Sequence, residues 1–192
     1  MADRHPSRRH LVAGILGGLA LPGLSNLAGA QAPLAPTPAC GDDHGPTPAQ
    51  TEGPYFTPNS PERASLREPG LAGAPLVFTG AVLTRDCRPV ARALVDLWHC
   101  DGDGRYDNAG YLGRGHQFTD ARGRFRFETV RPGRYPGRTP HFHVKVQAPR
   151  GRVLTTQFYF PGEPGNARDG IFRPELLMRL QGGTARYDVV LA

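Results

Sequence analysis

The sequence is poor in cysteine and in lysine, and each shortage limits the kinds of site that the protein can form. Its three cysteines include no C-x-x-C pair, which excludes a zinc knuckle and a thioredoxin-type redox motif. Lysine occurs only at position 145, so nearly all the positive charge is arginine, scattered along the chain without interleaved stacking aromatic residues. This distribution predicts a solvated surface and no nucleic-acid partner.

The first 32 residues have the organisation of an export signal. Paired arginines, Arg8 and Arg9, directly precede an apolar, glycine-containing run over residues 11–27, and residues 30–32 supply an Ala-x-Ala cleavage site. Such an arginine pair resembles a twin-arginine signal. The sequence therefore predicts a periplasmic or secreted protein with no stable membrane partner after leader cleavage. An ordinary secretory leader and an uncleaved anchor are the alternatives, although the run is short for a membrane span.

Export to an oxidising compartment makes one disulfide the expected state of the cysteines. Cys87 and Cys100 flank adjacent predicted strands, and a bridge between them would close a short loop and stabilise the fold by about 3 kcal/mol. Pairing of Cys40 with Cys87 is the alternative.

Short segments rich in β-branched and aromatic residues follow one another through a predicted domain over residues 71–192. The predicted strands cover residues 76–84, 93–99, 124–130, 141–147, 153–160 and 186–191. The segments between them are too short for crossover helices, which predicts an all-β fold, a β-sandwich of antiparallel or mixed sheets. Residues 33–70 precede it as an extended, Pro-rich N-terminal arm, and a brief helix is expected over 174–180.

Two histidines, His141 and His143, occupy alternate positions of a predicted strand. Side chains at i and i+2 share one face, roughly 7 Å apart along the strand, so both imidazoles can reach one metal ion. Phe142, Val144 and Val146 would face the core. The pattern indicates a metal site on the other face.

Two tyrosines on predicted loops extend the donor set. Tyr106 follows the strand that ends near residue 100, and Tyr135 lies on the loop that enters the His141 strand. Phenolate oxygens together with imidazole nitrogens suit ferric iron better than zinc or copper(I), which prefer thiolate. A trivalent cation also favours the deprotonated phenol.

Five motifs, in order over about residues 47–162, resemble those of the intradiol ring-cleavage dioxygenases of the protocatechuate 3,4-dioxygenase and catechol 1,2-dioxygenase type. They are Thr51-Glu-Gly-Pro-Tyr55, Asp96-Leu-Trp-His-Cys-Asp-Gly-Asp-Gly-Arg-Tyr106, Pro132-Gly-Arg-Tyr135, Arg138-Thr-Pro-His141-Phe-His143 and Thr156-Gln157-Phe-Tyr-Phe160.

The resemblance implies a non-haem Fe(III) enzyme that uses O2 to cleave a catechol between its two hydroxylated carbons, giving a cis,cis-muconate type dicarboxylate. Tyr106 and His141 would be equatorial ligands, and Tyr135 and His143 axial ligands. Tyr135 would also act as a base, and Arg138 would stabilise negative charge on the substrate ring. The expected substrate-binding residues are Gln157, which lines the pocket, and Thr51, Pro54 and Tyr55, which close over the substrate.

The chain departs from the best-known members of that family in two ways. Only five residues separate Tyr135 from His141, a shorter loop than in the protocatechuate enzymes, which leaves the identity of the catechol open. The helical segment that joins catechol 1,2-dioxygenase subunits has no counterpart in the sequence, so an oligomer is possible but not specified.

Two other classes compete with this interpretation. A non-catalytic exported β-sandwich could bind a carbohydrate or peptide. An exported copper-zinc superoxide dismutase would need about six histidines, whereas five remain once His5 and His10 leave with the leader. Among the other rings, Trp98 and His99 are expected to be structural, and His44 and His116 to lie at the surface.

Overall fold

In a computed structural model, residues 45–192 form two packed β-sheets, and the description that follows is confined to these residues. The predicted leader, Cys40 and His44 lie outside them. The strands are β1 Pro75–Leu83, β2 Leu94–Trp98, β3 Arg114–Phe118, β4 Arg124–Val130, β5 His141–Gln147, β6 Val153–Tyr159, β7 Arg179–Gln181, β8 Thr184–Arg186 and β9 Val189–Val190. Two 3-10 turns, Asn166–Arg168 and Pro174–Leu176, complete the regular structure of this part of the chain.

The two sheets differ in strand direction. The first has the order β4-β1-β8-β7, with β9 pairing the far end of β1. In it β4 runs antiparallel to β1, while β8 and β9 run parallel to β1. The second sheet, β3-β2-β5-β6, is antiparallel throughout. The prediction of an all-β sandwich with mixed sheets is confirmed.

An aromatic cluster joins the facing sides of the sheets. Phe78 of β1 lies 5.0 Å from Phe142 of β5 and 5.8 Å from Phe158 of β6, measured between ring centroids. All three rings are fully buried, and burial of each stabilises the fold by roughly 2–3 kcal/mol. The predicted alternation of core-facing and outward-facing side chains in β5 is confirmed, because Phe142 enters the core between His141 and His143.

Residues 45–70 form an extended segment, called the arm below, that crosses the outer face of the second sheet. Its backbone bonds to both edges of that sheet, since Gln50 N donates to Thr155 O at 2.8 Å and Arg63 N donates to His116 O at 3.0 Å. Leu66 then enters the core and is fully buried. The arm consequently covers the face on which the two histidines lie.

Three local predictions fail where tertiary contacts override the sequence pattern. The helix over 174–180 is only a 3-10 turn, because Met178 N donates to Tyr159 O at 2.9 Å and leads into β7. The strand predicted over 186–191 is interrupted where Asp188 accepts the Ala81 amide at 2.8 Å. Strand β3 is missing from the sequence-based prediction, because its sequence Arg-Gly-His-Gln-Phe does not alternate apolar with polar residues.

The Cys87–Cys100 pairing is wrong. Cys100 is a free, buried thiol, whereas Cys87 is disulfide-bonded. Cys87 lies in the turn that follows β1, where its N donates to Thr84 O at 2.9 Å, whereas Cys100 follows the end of β2. The alternative partner, Cys40, lies outside the described residues.

Within residues 45–192, no helix has the length and apolar character needed to cross a membrane.

Candidate metal centre

The two histidines of β5 lie side by side on the outer face of the second sheet, beneath the arm. Their cross-strand neighbours are Tyr159 for His141, and Trp98 and Gln157 for His143. Because strand partners share a face, the register gathers imidazole, phenol, indole and amide groups at one point.

The imidazole nitrogens and one phenol converge. His141 Nε2 is 3.0 Å from His143 Nε2 and 3.4 Å from Tyr135 Oη. His141 Nδ1 lies 2.6 Å from Thr139 O, so that nitrogen carries the proton and the Nε2 lone pair faces His143 and Tyr135. Such an outer hydrogen bond orients a metal-binding histidine.

Tyr106 supplies the second phenol from the loop between β2 and β3. Its ring centroid is 5.7 Å from that of Tyr135 and 6.3 Å from that of His143. Its hydroxyl is buried and has no hydrogen-bond partner among the described residues. A buried polar group without a partner is costly, and the place of this hydroxyl beside the histidines fits the predicted role of a metal donor.

The protonation states suit a cation site. Burial, aided by the positive charge of Arg138, lowers the pKa of His141 to about 4, and burial lowers the pKa of His143 well below its usual value. Both rings are therefore neutral near pH 7, with lone pairs free to bind. Burial raises the pKa of the Tyr106 and Tyr135 phenols, so a metal that binds them as phenolates must displace their protons.

This donor set fits a hard trivalent cation. Across residues 45–192 no three His, Cys, Asp or Glu side chains gather to hold a metal, so thiolate and carboxylate sites of the zinc type are not found there. Two imidazoles and two phenols remain, and ferric iron accepts that combination.

A partly buried arginine borders the four predicted donors. Arg138 Nη1 lies 3.4 Å from Tyr135 Oη, and its other amino group donates to Gln157 Oε1. Arg138 Nε donates to Asp169 Oδ2 at 2.9 Å. The guanidinium thus presents a fixed positive charge next to the phenol of Tyr135.

The arm closes the other side of the site. Tyr55 stacks on Tyr106 with ring centroids 4.2 Å apart and an angle of 14° between planes. Thr51 O accepts a hydrogen bond from Gln157 Nε2 at 2.9 Å. Gly53, at φ +72°, packs so closely that an added Cβ would stand 3.3 Å from His143 Cε1. Pro54, also predicted to contact substrate, is exposed.

The remaining predicted rings divide between the two faces of the sheet. Trp98 stacks on His143, with centroids 4.9 Å apart, so this indole supports a donor directly. His99 points into the core and bonds to Cys100 O at 2.7 Å and Thr129 Oγ1 at 2.6 Å. His116 is half-buried rather than a free surface group, since its Nδ1 lies 2.7 Å from Ser60 O.

Sequence reasoning missed Asp169 and Gly53. Asp169 lies in a segment rich in Gly and Pro between β6 and β7, where no strand pattern predicts that its carboxylate returns to the site. Gly53 stands inside the Thr51–Tyr55 motif, but only the backbone angle and the contact with His143 reveal why glycine is needed.

Because His99 is buried, we predict that the free energy of unfolding decreases in mild acid. Burial lowers its pKa from 6.5 to about 4, so between those values the unfolded chain binds a proton that the folded chain does not. Stability is full above pH 6.5 and falls towards pH 4, by about 1.4 kcal/mol per pH unit for this group. The free energy of unfolding of metal-free protein, measured in urea across this pH range, should depend on pH less steeply in His99→Leu than in the wild type, by the equivalent of one proton. An identical slope would contradict the prediction.

Comparison with known proteins agrees with this geometry. The family model described as Dioxygenase matches residues 51–185, and the chain belongs to this family, the intradiol ring-cleavage dioxygenases. The β chain of protocatechuate 3,4-dioxygenase from Burkholderia cepacia is 39% identical over 119 residues, which is 53% of this chain and 51% of that protein.

Solved structures extend the likeness. The dioxygenase domain of a dioxygenase and carbohydrate-binding protein fusion from the cellulolytic bacterium Streptomyces sp. SirexAA-E is 52% identical, with a TM-score of 0.73 over 77% of this chain and 98% of that one. The 3-chlorocatechol 1,2-dioxygenase of Rhodococcus opacus 1CP is 27% identical, with a TM-score of 0.68 over 75% and 71% of the two chains. The chain spans about half the length of the curated relatives it matches, 51% and 47% for two of them.

Proposed function

We propose that this protein is a non-haem Fe(III)-dependent dioxygenase that cleaves a catechol between its two hydroxylated carbons to give a cis,cis-muconate type dicarboxylate. The observation that carries the proposal is the 3.0 Å approach of His141 Nε2 to His143 Nε2 beside two phenols. Relatives named as catechol-cleaving and hydroxyquinol-cleaving dioxygenases support it.

Tyr106, Tyr135, His141 and His143 would hold the iron. When bound, Fe(III) supplies Lewis acidity towards the two hydroxyl oxygens of the catechol. The unpartnered Tyr106 hydroxyl and the neutral imidazoles are the features of this chain that fit the ion.

Tyr135 is the group placed to move a proton. Its Oη lies within 3.4 Å of both His141 Nε2 and Arg138 Nη1. The guanidinium offsets part of the burial that raises the pKa of this phenol, and a bound metal ion would favour the phenolate further. A phenolate at this position can accept a proton from a catechol hydroxyl. General-base assistance of this kind contributes about 10²–10⁴-fold to a rate.

Arg138 is the group placed to stabilise charge on the ring. Its guanidinium is held by Gln157 and Asp169 before substrate arrives, and preorganised charge costs no reorganisation when negative charge develops. Both atoms of O2 enter the product, so catechol and O2 balance the dicarboxylate without another reductant.

The substrate side of the site is bordered by a short loop. Gly137, between Tyr135 and Arg138, would have open space around an added Cβ. Because Gly137 is exposed, this loop does not restrict the substrate to one catechol, and we propose catechols in general as the substrate class.

We further propose that the enzyme works outside the inner membrane. The arginine pair and apolar run of the leader support this, as does the 52% identical relative from a cellulolytic bacterium, a dioxygenase fused to a carbohydrate-binding protein. Replacing Arg8 and Arg9 together by lysine should retain the protein in the cytoplasm, as measured by fractionation and immunoblotting. Unchanged export would contradict the twin-arginine route.

The test of the proposed reaction is oxygen uptake by purified, iron-loaded protein against catechol, protocatechuate, hydroxyquinol and chlorinated catechols. The expected result is one O2 consumed per catechol, with a muconate-type ultraviolet spectrum, by a protein that absorbs in the visible through iron-phenolate contact. A colourless protein that takes up no oxygen with any of these compounds would favour a non-catalytic binding module.

A further inference from the structure

Asp169 is a buried carboxylate on the segment between β6 and β7 that reaches the metal site through Arg138. Its side chain is 1% exposed and that of Arg138 is 16% exposed, and Asp169 Oδ2 lies 2.9 Å from Arg138 Nε. The same carboxylate accepts the backbone amides of Thr139 at 3.1 Å and Ile171 at 3.2 Å. It therefore joins the loop before β5 to the segment after the first 3-10 turn.

We propose that Asp169 is a positioning residue that fixes the Arg138 guanidinium for the ring-cleavage reaction; the inference rests on the proposed function. The planar guanidinium has a rigid set of donors, so a bond at one edge determines where the others point. With Nε held by Asp169, one amino group meets Gln157 Oε1 and the other meets Tyr135 Oη at 3.4 Å.

The network continues to the arm. Gln157, which accepts from Arg138, donates in turn to Thr51 O at 2.9 Å. Tyr159 Oη donates to Gln50 Oε1 at 2.8 Å and accepts from Arg138 Nη2, the nitrogen that also donates to Gln157, at 3.5 Å. The guanidinium is thus held from three directions, and Asp169 is the only one of its partners named here that carries a full negative charge.

Fixing the arginine has a kinetic consequence. A flexible arginine retains rotamer freedom that must be lost in each turnover, and a misplacement of about 1 Å can cost about 100-fold in rate. Loss of the carboxylate also leaves an unpaired, largely buried cation next to the phenol of Tyr135. The arginine would then turn towards solvent, away from the ring.

A purely structural role is the alternative, because Asp169 also binds two backbone amides. The two roles differ in how they depend on Arg138. If Asp169 acts through the arginine, removing it should matter little once Arg138 is absent. If it only holds the loops together, its loss should cost the same with or without the arginine.

The experiment is a double-mutant cycle of Asp169→Asn and Arg138→Ala with two readouts. In urea unfolding of metal-free protein, the two changes should be coupled by about fivefold or more in the unfolding constant. In iron-loaded protein, Asp169→Asn should lower kcat about 10–100-fold at unchanged iron content and visible absorption, and add about twofold or less to Arg138→Ala.

Asp188→Asn is the matched control, because Asp188 also accepts a backbone amide and pairs with arginines, on the opposite sheet. It should leave kcat unchanged.

If Asp169→Asn does not fold, Asp169→Glu keeps the charge one methylene further out and should give a smaller kcat loss. Additive effects in both cycles, or wild-type kcat in the Asp169 variants, overturn the proposal. The unfolding cycle does not depend on catalysis. If Asp169 and Arg138 are coupled in unfolding but the iron-loaded wild-type protein is inactive, the proposed function is rejected and the contact between the two residues still stands.

Discussion

Replacing His143 by alanine is expected to abolish stoichiometric iron binding and to reduce ring cleavage to background. His143 is buried, 1% exposed, between Trp98 of β2 and Gly53 of the arm, so alanine would leave a gap at the position of the imidazole. Removing even an outer partner of a metal ligand weakens binding about 10–100-fold, and loss of a ligand should exceed that range.

The measurement is iron content after anaerobic loading and desalting, together with the visible absorption of the iron-phenolate and oxygen uptake with catechol. Circular dichroism should show that the sandwich persists, because its core lies on the other face of β5. His116→Ala is the control, since that ring lies on β3 and contacts Ser60 rather than the four donors. Full iron occupancy in the His143 variant would remove this residue from the ligand set.

The second large effect is expected for Tyr135→Phe, which should retain the fold, weaken iron binding and lower turnover by about 10²–10⁴-fold. Phenylalanine keeps the ring contacts with Tyr55 and Tyr106 but removes the oxygen that lies 3.4 Å from His141 Nε2 and from Arg138. Both a donor to the metal and the proton-accepting group are lost.

The loss should fall mainly on kcat, because the aromatic walls that bind the substrate remain. Steady-state kinetics on iron-saturated protein separate this effect from reduced occupancy. Tyr111→Phe provides the comparison, because this side chain is exposed and, within residues 45–192, its hydroxyl donates only to Pro58 O, at 3.1 Å. Full turnover in the Tyr135 variant would contradict the assigned donor set and the proposed base.

The strands that carry the site follow from the sequence because local pattern and tertiary role agree there. The predicted limits of β4 and β5 match the structure, since strict alternation leaves one register that buries the apolar side. The strand predicted over 186–191 is interrupted because Asp188 accepts the amide of Ala81 within β1, a contact that no local sequence pattern predicts.

The site itself divides in the same way. Strand periodicity alone places His141 and His143 on one face, and family motifs point to Tyr106 and Tyr135, which the structure brings beside them. The support of the arginine by Asp169 depends on a contact between residues 31 positions apart. Such a contact depends on the path of an irregular segment, and single-chain patterns do not encode that path.

The alternation in β5 would couple the visible absorption of iron-loaded protein to the packing of the core. Phe142, whose ring meets Phe78 at 5.0 Å, separates the two histidines by a single backbone step on either side. We therefore expect loosening of that aromatic packing to displace both imidazoles. On heating, the visible absorption of iron-loaded protein should therefore decrease at a lower temperature than the one at which the β-strands are lost.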